Sequence, residues 1–408
     1  MAAIGVKKPF IVMDMNTRAA AWDRVRPVLE AAGIAYSVYC YPTAERIEPD
    51  EAAVGAITLA YDPSCDVVLA IGSGVINDCC KVLAHAAHVP CMVVCTAPSM
   101  DGYASNCSAM IFDHVKVSPA NACAQAILAD TEIMATAPDR MLRAGLGDML
   151  AKYVSLCEWK LASIIHGDPY CPQIAELVRA SLQKVVDHAP GLMARDEEAI
   201  GAVAEGLILS GICMAFAGNS RPASGLEHYF SHVWEMQALQ HGKSSDLHGI
   251  QVGVGTLLVL WLYDHVLDID HVDLAKAHAA AASFSDEKWR AHMEQIFGTA
   301  APSVFRLEEK AHKNDPAARE ARLQTIAAEW PRLKQIIDDE LPSYEEVLGI
   351  MTRAGMPLVP ADLELTVQDT VEAFLGSRNI RDKYLTSSML WDMGLLEDAA
   401  QLLRHYPD

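Results

Sequence analysis

Apolar positions fall into two textures along this chain. Up to about residue 137, short runs that are apolar on both faces alternate with helical patterns. Residues 9–16 (PFIVMDMN), 35–41, 65–71 (CDVVLAI) and 90–96 (PCMVVCT) read as strands, and 18–32, 45–60 and 76–87 as helices. Gly33 is a normal stop for the first of these helices, and Asn16-Thr17 can cap its start. Strands with no polar alternation are covered on both faces, and strands interleaved with helices make a parallel sheet. From Pro138 onward the pattern is helical almost throughout, at about 144–160, 172–189, 197–217, 223–240, 250–267, 271–283, 303–313, 317–338, 343–353, 361–375 and 382–403. The charge-rich segment 284–345 reads as solvated helical faces. The expected architecture is an α/β parallel-sheet domain over 1–140 followed by an all-α domain over 141–408, with no repeat and no long linker.

Composition narrows the partners. The chain has 408 residues, 51% hydrophobic and 21% charged, with a formal charge of −21. That charge repels phosphate backbones and anionic lipid, so neither nucleic acid nor membrane insertion is expected. A small anion remains compatible if backbone N–H groups, basic side chains or a metal gather locally. The eleven cysteines include no CxxC pair and lie largely in apolar segments, as buried thiols in a reducing compartment do. The N-terminus lacks a signal-peptide core, and the apolar runs 206–218 and 252–263 are short and broken by glycine. A cytoplasmic enzyme or binding protein fits these bounds.

Three stretches carry candidate chemistry. Residues 221–255 hold His228, His232, His241 and His248 beside Glu227 and Glu235. His228 and His232 are four apart, so on a helix both imidazoles leave one face; His248 follows a polar loop. Such a set can build most of a divalent-metal site, with ordinary core histidines as the alternative on spacing alone. Gly72-Ser73-Gly74-Val75-Ile76-Asn77-Asp78 joins a strand to a helix, where backbone N–H groups and the helix dipole favour a phosphate. It departs from G-x-G-x-x-G at Asn77 and lacks the usual acidic ribose contact, for which Asp14 is a candidate. A glycine-rich turn without ligand is the alternative. Thr96–Ser105 (TAPSMDGYAS) is a polar loop at a strand's carboxyl end. Asp148 sits near the first turn of the 144–160 helix, where the dipole alone would favour a carboxylate. SRNIRDKYL (377–385) reads as structural, with phosphate contact by Arg381 or Lys383 as a second reading.

Taken together, GSGVIND (72–78), TAPSMDGYAS (96–105), AGLGDMLAKY (144–153), SGLEHYFSH (224–232), HGIQVGVGTLL (248–258) and RDKYL (381–385) resemble the sn-glycerol-1-phosphate dehydrogenase family. That family lies within the superfamily of iron-containing alcohol dehydrogenase, glycerol dehydrogenase and dehydroquinate synthase. The resemblance implies the superfamily's fold, a Rossmann-like domain followed by a helical one. It implies a metal held by Asp148, His228 and His248, with Zn2+ or Ni2+ ahead of Fe2+. NAD or NADP would lie on Gly72, Ser73, Gly74, Val75, Ile76, Asn77 and Asp78, with Thr96, Ala97, Pro98, Ser99 and Ser105 lining its cleft. Asp101 and His232 would meet the substrate, with Asp148 at its edge; His232 would relay the proton. His241, Glu227 and Glu235 gain no role and stay structural. The implied reaction interconverts dihydroxyacetone phosphate and sn-glycerol 1-phosphate in a homo-oligomer. The family's G-G-G stands here as G-S-G, and HGKSSD (241–246) resembles an insertion. Either departure could change the substrate, for instance to an unphosphorylated polyol. A dehydroquinate-synthase-like lyase shares the scaffold. A nucleotide-binding sensor without turnover is a further alternative, against which Asp148, His228 and His248 together stand.

Overall fold

The computed structural model describes residues 1–112 and 115–407. Five parallel strands form one sheet in the order β2-β1-β3-β4-β7: β1 Pro9–Asp14, β2 Ser37–Tyr41, β3 Val67–Gly72, β4 Cys91–Cys95 and β7 Ala126–Leu128. The two central strands β3 and β4 are buried at every residue, as their unbroken apolar runs require. Ile11, Met13, Leu69, Ile71, Met92 and Val94 pack with Trp22 and Leu29 as one core cluster. A two-stranded antiparallel hairpin, β5 Met110–Phe112 and β6 Val115–Val117, lies outside this sheet.

Some elements differ from the sequence pattern for local reasons. The second helix begins at Glu51, because Asp50 caps it by accepting from Ala53 N. The preceding residues form bends and irregular chain, and Pro49 O accepts from Ile111 N. β5, β6 and β7 went unread because each has three residues, too few for a period to show. The expected 144–160 helix is two, Asp139–Leu150 and Lys152–Ile165. The first begins just after Pro138, whose carbonyl accepts from Met141 N. Asp148 therefore sits near the end of a helix and not in its first turn, so dipole capping does not account for it. The expected 382–403 helix breaks at Gly394, which has φ +72°. The 361–375 helix starts only after Thr366, which caps it in a box with Asp369. Within the charged segment a further helix, Asp286–Phe297, is capped by Ser285.

By compactness the chain forms two units. One contains Met1–Met149 with Ala180–Asn219, and the other Leu150–Arg179 with Ser220–Asp408. All described strands lie in the first. Each unit has a long apolar helix that would meet the length and hydropathy of a membrane span: Glu197–Ala217 in the first and His248–Leu267 in the second. Both are mostly buried inside the protein, as helices apolar all round are.

Close approach to the loop after β4 is set by two glycines of the first unit. A Cβ on Gly145 would stand 1.9 Å from Pro98 O and 3.0 Å from a Val203 methyl. A Cβ on Gly211 would stand 2.7 Å from Asp101 O. Gly55, mid-helix, has nothing within 4 Å of such an atom. The same Gly→Ala change therefore has opposite signs at two sites. Gly145→Ala should destabilise by about 1–3 kcal/mol through overpacking against backbone, and Gly55→Ala should stabilise by about 0.5–1 kcal/mol through helix propensity. Denaturant midpoints at constant m-value read both changes.

Candidate active site

In the first unit the strand order changes direction between β1 and β3, since β2 lies beyond β1 while β4 and β7 lie beyond β3. Ligands of open α/β sheets bind outside the carboxyl ends of the strands at such a point. The register pairs Val12 with Ala70 and Gly72 with Cys95, so the ends of β1, β3 and β4 are level. Asp14, Ser73 and Thr96 thus leave the sheet along one edge. Asp14 accepts from Thr17 N at 2.7 Å and caps the turn after β1.

The Gly74–Ala87 helix starts directly from β3, with Ser73 at its N-cap making no side-chain cap bond. Its first N–H groups have no acceptor within the helix, which suits an anion. At Gly72 a Cβ would come within 2.6 Å of the Ile76 side chain, so this turn requires glycine. At Gly74 a Cβ would meet only Met100, at 3.6 Å. The serine hydroxyls of Ser73 and Ser99 lie 2.6 Å apart, and Thr96 N donates to Gly72 O at 3.1 Å. Tyr103 OH donates to Ala97 O at 2.7 Å, folding the Thr96–Ser105 loop back on itself.

Ser105 closes that loop, and Asp78 holds the segment that follows it. Asp78 Oδ2 accepts from Ala109 N at 3.0 Å, and burial lifts its carboxyl to about 6. Ser105 Oγ donates to Gly102 O and accepts from Lys81 Nζ at 3.1 Å. Lys81, 1% exposed, also donates to the carbonyls of Ser105 and Cys107. Asn77 donates to Asp78 Oδ1 at 3.1 Å, an internal bond where the dinucleotide fingerprint has glycine.

Asp101 is held from two sides. Its N–H donates to Asp148 Oδ2 at 2.9 Å, and its Oδ2 accepts from Ser210 Oγ at 2.8 Å. Asp148 is fully buried. Ser210 neighbours Gly211, whose missing side chain lets the helix reach Asp101 O. Nothing in the sequence signals Ser210, which lies 109 residues from Asp101.

In the second unit three imidazoles gather where the Leu226–Gln240 helix meets the start of His248–Leu267. Ring centroids are 5.1 Å apart for His228–His248, 5.5 Å for His232–His248 and 6.3 Å for His228–His232. Each Nδ1 has an oxygen neighbour. His228 Nδ1 donates to Glu227 Oε1 at 2.7 Å, His248 Nδ1 is 3.0 Å from Ser231 Oγ, and His232 Nδ1 is 3.4 Å from Glu235 Oε2. A ring held through Nδ1 presents its lone pair at Nε2, which is how a metal-ligating histidine is oriented. The donor set therefore fits a divalent cation. Ligand atoms of His232, Glu235 and His248 lie within 4.8 Å of one another, a grouping that includes a carboxylate the sequence left structural. Glu227, likewise left structural, is His228's partner and is fully buried.

The profile of the family described as iron-containing alcohol dehydrogenase matches residues 1–138. Glycerol-1-phosphate dehydrogenase, NAD(P)+, of Halalkalibacterium halodurans is 35% identical over 375 residues, 91% of this chain and 84% of that protein. The chain belongs to the glycerol-1-phosphate dehydrogenase family. The protein of that name from Geobacillus stearothermophilus is 30% identical over 376 residues, covering 92% of this chain and 82% of its own length. Among solved structures, glycerol dehydrogenase from Schizosaccharomyces pombe aligns with TM-score 0.60 at 15% identity, over 98% of this chain and 86% of that one. That likeness concerns the fold, the superfamily's parallel-sheet region followed by helices.

Behind the histidines of this family member lies a buried carboxylate pair. Glu158 accepts from Leu226 N and Thr386 N, both at 2.9 Å. Burial, and then the charge of Glu227, raise its carboxyl to about 7. Because the folded pKa exceeds the unfolded one, the folded state binds the extra proton between them, and stability falls as pH rises from the unfolded pKa through about 7. The penalty is complete above that range. Denaturant unfolding of wild type against Glu158→Gln should show the wild type losing stability relative to the variant across this window; parallel curves would contradict the shift.

Proposed function

We propose that this protein interconverts dihydroxyacetone phosphate and sn-glycerol 1-phosphate with NAD or NADP and one bound divalent cation. The observation that carries the chemistry is the histidine cluster, with each Nδ1 beside an oxygen that fixes its ring. The substrate follows from the names of relatives that match nearly the whole chain. The dinucleotide reading is supported by the level strand ends at the change in strand order and by the start of the Gly74–Ala87 helix.

When bound, the cation supplies a Lewis acid for the keto oxygen, and the dinucleotide gives or takes the hydride. The protein's residues do the rest. His228 and His248 would hold the cation, their Nδ1 atoms being engaged by Glu227 and Ser231; Asp148 is assigned as the third ligand by the family resemblance alone. His232 holds, at Nε2, the proton exchanged with the substrate oxygen, and Glu235 aims that ring through Nδ1. Asp101, clamped by Ser210 and Asp148, orients the substrate. The first turn from Gly72 to Asp78 receives the pyrophosphate, and Thr96, Ala97, Pro98, Ser99 and Ser105 shape the cleft beside it. Imidazole and carboxylate donors suit Zn2+, Ni2+ and Fe2+ alike, and we keep Zn2+ or Ni2+ first. All eleven cysteines are free thiols, which supports a cytoplasmic location, and we propose a homo-oligomer of two or more chains.

A second donor set, His232 with Glu235 and His248, is favoured by the close grouping of their ligand atoms. Metal content separates the two. Under the first reading His228→Asn loses the cation, and His232→Asn keeps it while kcat falls about 10²- to 10⁴-fold. Retention by His228→Asn and loss by His232→Asn would establish the second set.

Chelation should abolish turnover and Zn2+ or Ni2+ should restore it. NADH or NADPH oxidation should be fast with dihydroxyacetone phosphate and slow with dihydroxyacetone or glyceraldehyde phosphate. Oxidation of sn-glycerol 1-phosphate should speed up as pH rises from about 6 to about 10, because the alcohol must lose a proton. A flat profile would count against this scheme.

A further inference from the structure

Close to the histidines, within the second unit, lies a set of buried donors that this mechanism leaves unused. Lys383 is 9% exposed, and its ammonium donates to Ser224 O at 3.0 Å and Ser224 Oγ at 2.7 Å. Among the described residues no carboxylate pairs with it. A buried ammonium bonded only to neutral oxygens is costly. Tyr229 is 1% exposed, and its buried hydroxyl has no hydrogen-bond partner among the described residues. Lys383 Nζ lies 5.9 Å from the centroid of the Tyr229 ring. Arg381 and Arg221 bring further positive charge to both groups.

The facing anions are already engaged. Asp168 pairs with Arg221, and Glu158 accepts from Leu226 N and Thr386 N with its carboxyl raised to about 7. Glu227 Oε1 accepts from His228 Nδ1 and Gly225 N, both at 2.7 Å. What the hydroxyl and the ammonium lack in common is an anionic acceptor.

We infer that Lys383 Nζ and Tyr229 OH form the seat for the substrate's phosphate, with Arg381 adding positive charge near it and Arg221 largely matched by Asp168. This rests on the reading of the substrate as a phosphate monoester. Tyr229 follows His228 directly, and its ring is 5.9 Å from that of His232. The seat is thus beside the imidazole that exchanges a proton with the substrate oxygen, and in dihydroxyacetone phosphate one CH2–O link separates the keto carbon from phosphorus. A phosphate dianion accepts from both groups and offsets the buried charge; the hydroxymethyl end of dihydroxyacetone accepts weakly and leaves the charge unmatched. The seat therefore selects phosphorylated over unphosphorylated substrate.

The test uses the full chain with metal and dinucleotide bound, and inorganic phosphate as the probe. Tyr229→Phe removes one donor at constant shape, and Lys383→Met removes the charge. Expected for Tyr229→Phe is a rise of roughly tenfold or more in both the KM for dihydroxyacetone phosphate and the Ki for phosphate, the size of one hydrogen bond to a charged group. The preference for dihydroxyacetone phosphate over dihydroxyacetone in kcat/KM should fall by a similar factor, and further in Lys383→Met. Should Lys383→Met fail to fold, Tyr229→Phe and calorimetric phosphate binding decide alone. A Tyr229→Phe enzyme with KM and Ki within twofold of wild type would overturn the seat while leaving the dehydrogenase reading intact. A wild type that binds phosphate in a Tyr229-dependent way but does not reduce dihydroxyacetone phosphate would uphold the seat and overturn that reading.

Discussion

The hydrogen bond from His228 Nδ1 to the buried carboxylate of Glu227 is the contact on which the second unit's chemistry depends. It fixes which nitrogen of His228 faces outward, and it places a carboxylate behind the three imidazoles. Glu227 also accepts from Gly225 N, so the carboxylate that orients the imidazole ties down the start of its own helix. A Cβ on Gly225 would stand 2.7 Å from a Glu158 oxygen and 2.8 Å from a Glu227 oxygen. The glycine at the head of SGLEHYFSH is therefore there to let two carboxylates approach, and burial, with the charge of Glu227 second, makes Glu158 hold its proton more tightly. Two buried acids side by side cost stability.

In the first unit the corresponding constraint is steric. Two glycines on different helices, Gly145 and Gly211, leave room for the loop after β4, and they bring Asp148 and Ser210 to either side of Asp101. A loop of ten residues would otherwise sample many conformations. Here its backbone is pinned by Tyr103 on Ala97 O, by Asp148 on Asp101 N, and by Lys81 on the carbonyls of Ser105 and Cys107. The Asp101 carboxylate is thus preorganised by contacts from Asp148, Ser210 and Lys81, two of which carry no role in the proposed reaction.

The legible part of this protein was whatever has a long period or a motif. Strands β1, β3 and β4 and the long helices announced themselves through buried runs and helical spacing, because their burial continues over many residues. β7 and the β5–β6 pair are hidden in the sequence because three residues carry no period, and Asp148 lies near the end of its helix because that helix starts directly after Pro138. The histidines were legible by their spacing. Their partners were not. Glu227 precedes His228 directly, yet neighbours in a helix normally diverge, and Ser210 and Glu158 reach their targets through contacts 109 and 68 residues apart. Such pairings depend on tertiary packing, which composition and spacing do not encode.

Charge is where sequence and structure teach different lessons. A net charge of −21 argues against anionic partners, while the substrate and the dinucleotide proposed here are both anions. Burial resolves the conflict. Among the described residues the buried cations are Lys81, Lys152, Arg221, Arg319, Arg378 and Lys383, and the buried acids are Asp78, Asp148, Glu158, Glu227 and Asp392. The interior is therefore near balance, and the acidic excess lies toward solvent, where salt screens it beyond about 10 Å at 0.1 M. Inside, the dielectric is low and each unmatched charge acts at full strength over short distances. An extended polyanion must lie along the surface and meets the acidic excess. A small phosphate ester leaves that surface behind and meets Lys383 and Tyr229, so the same chain can exclude the one and select the other.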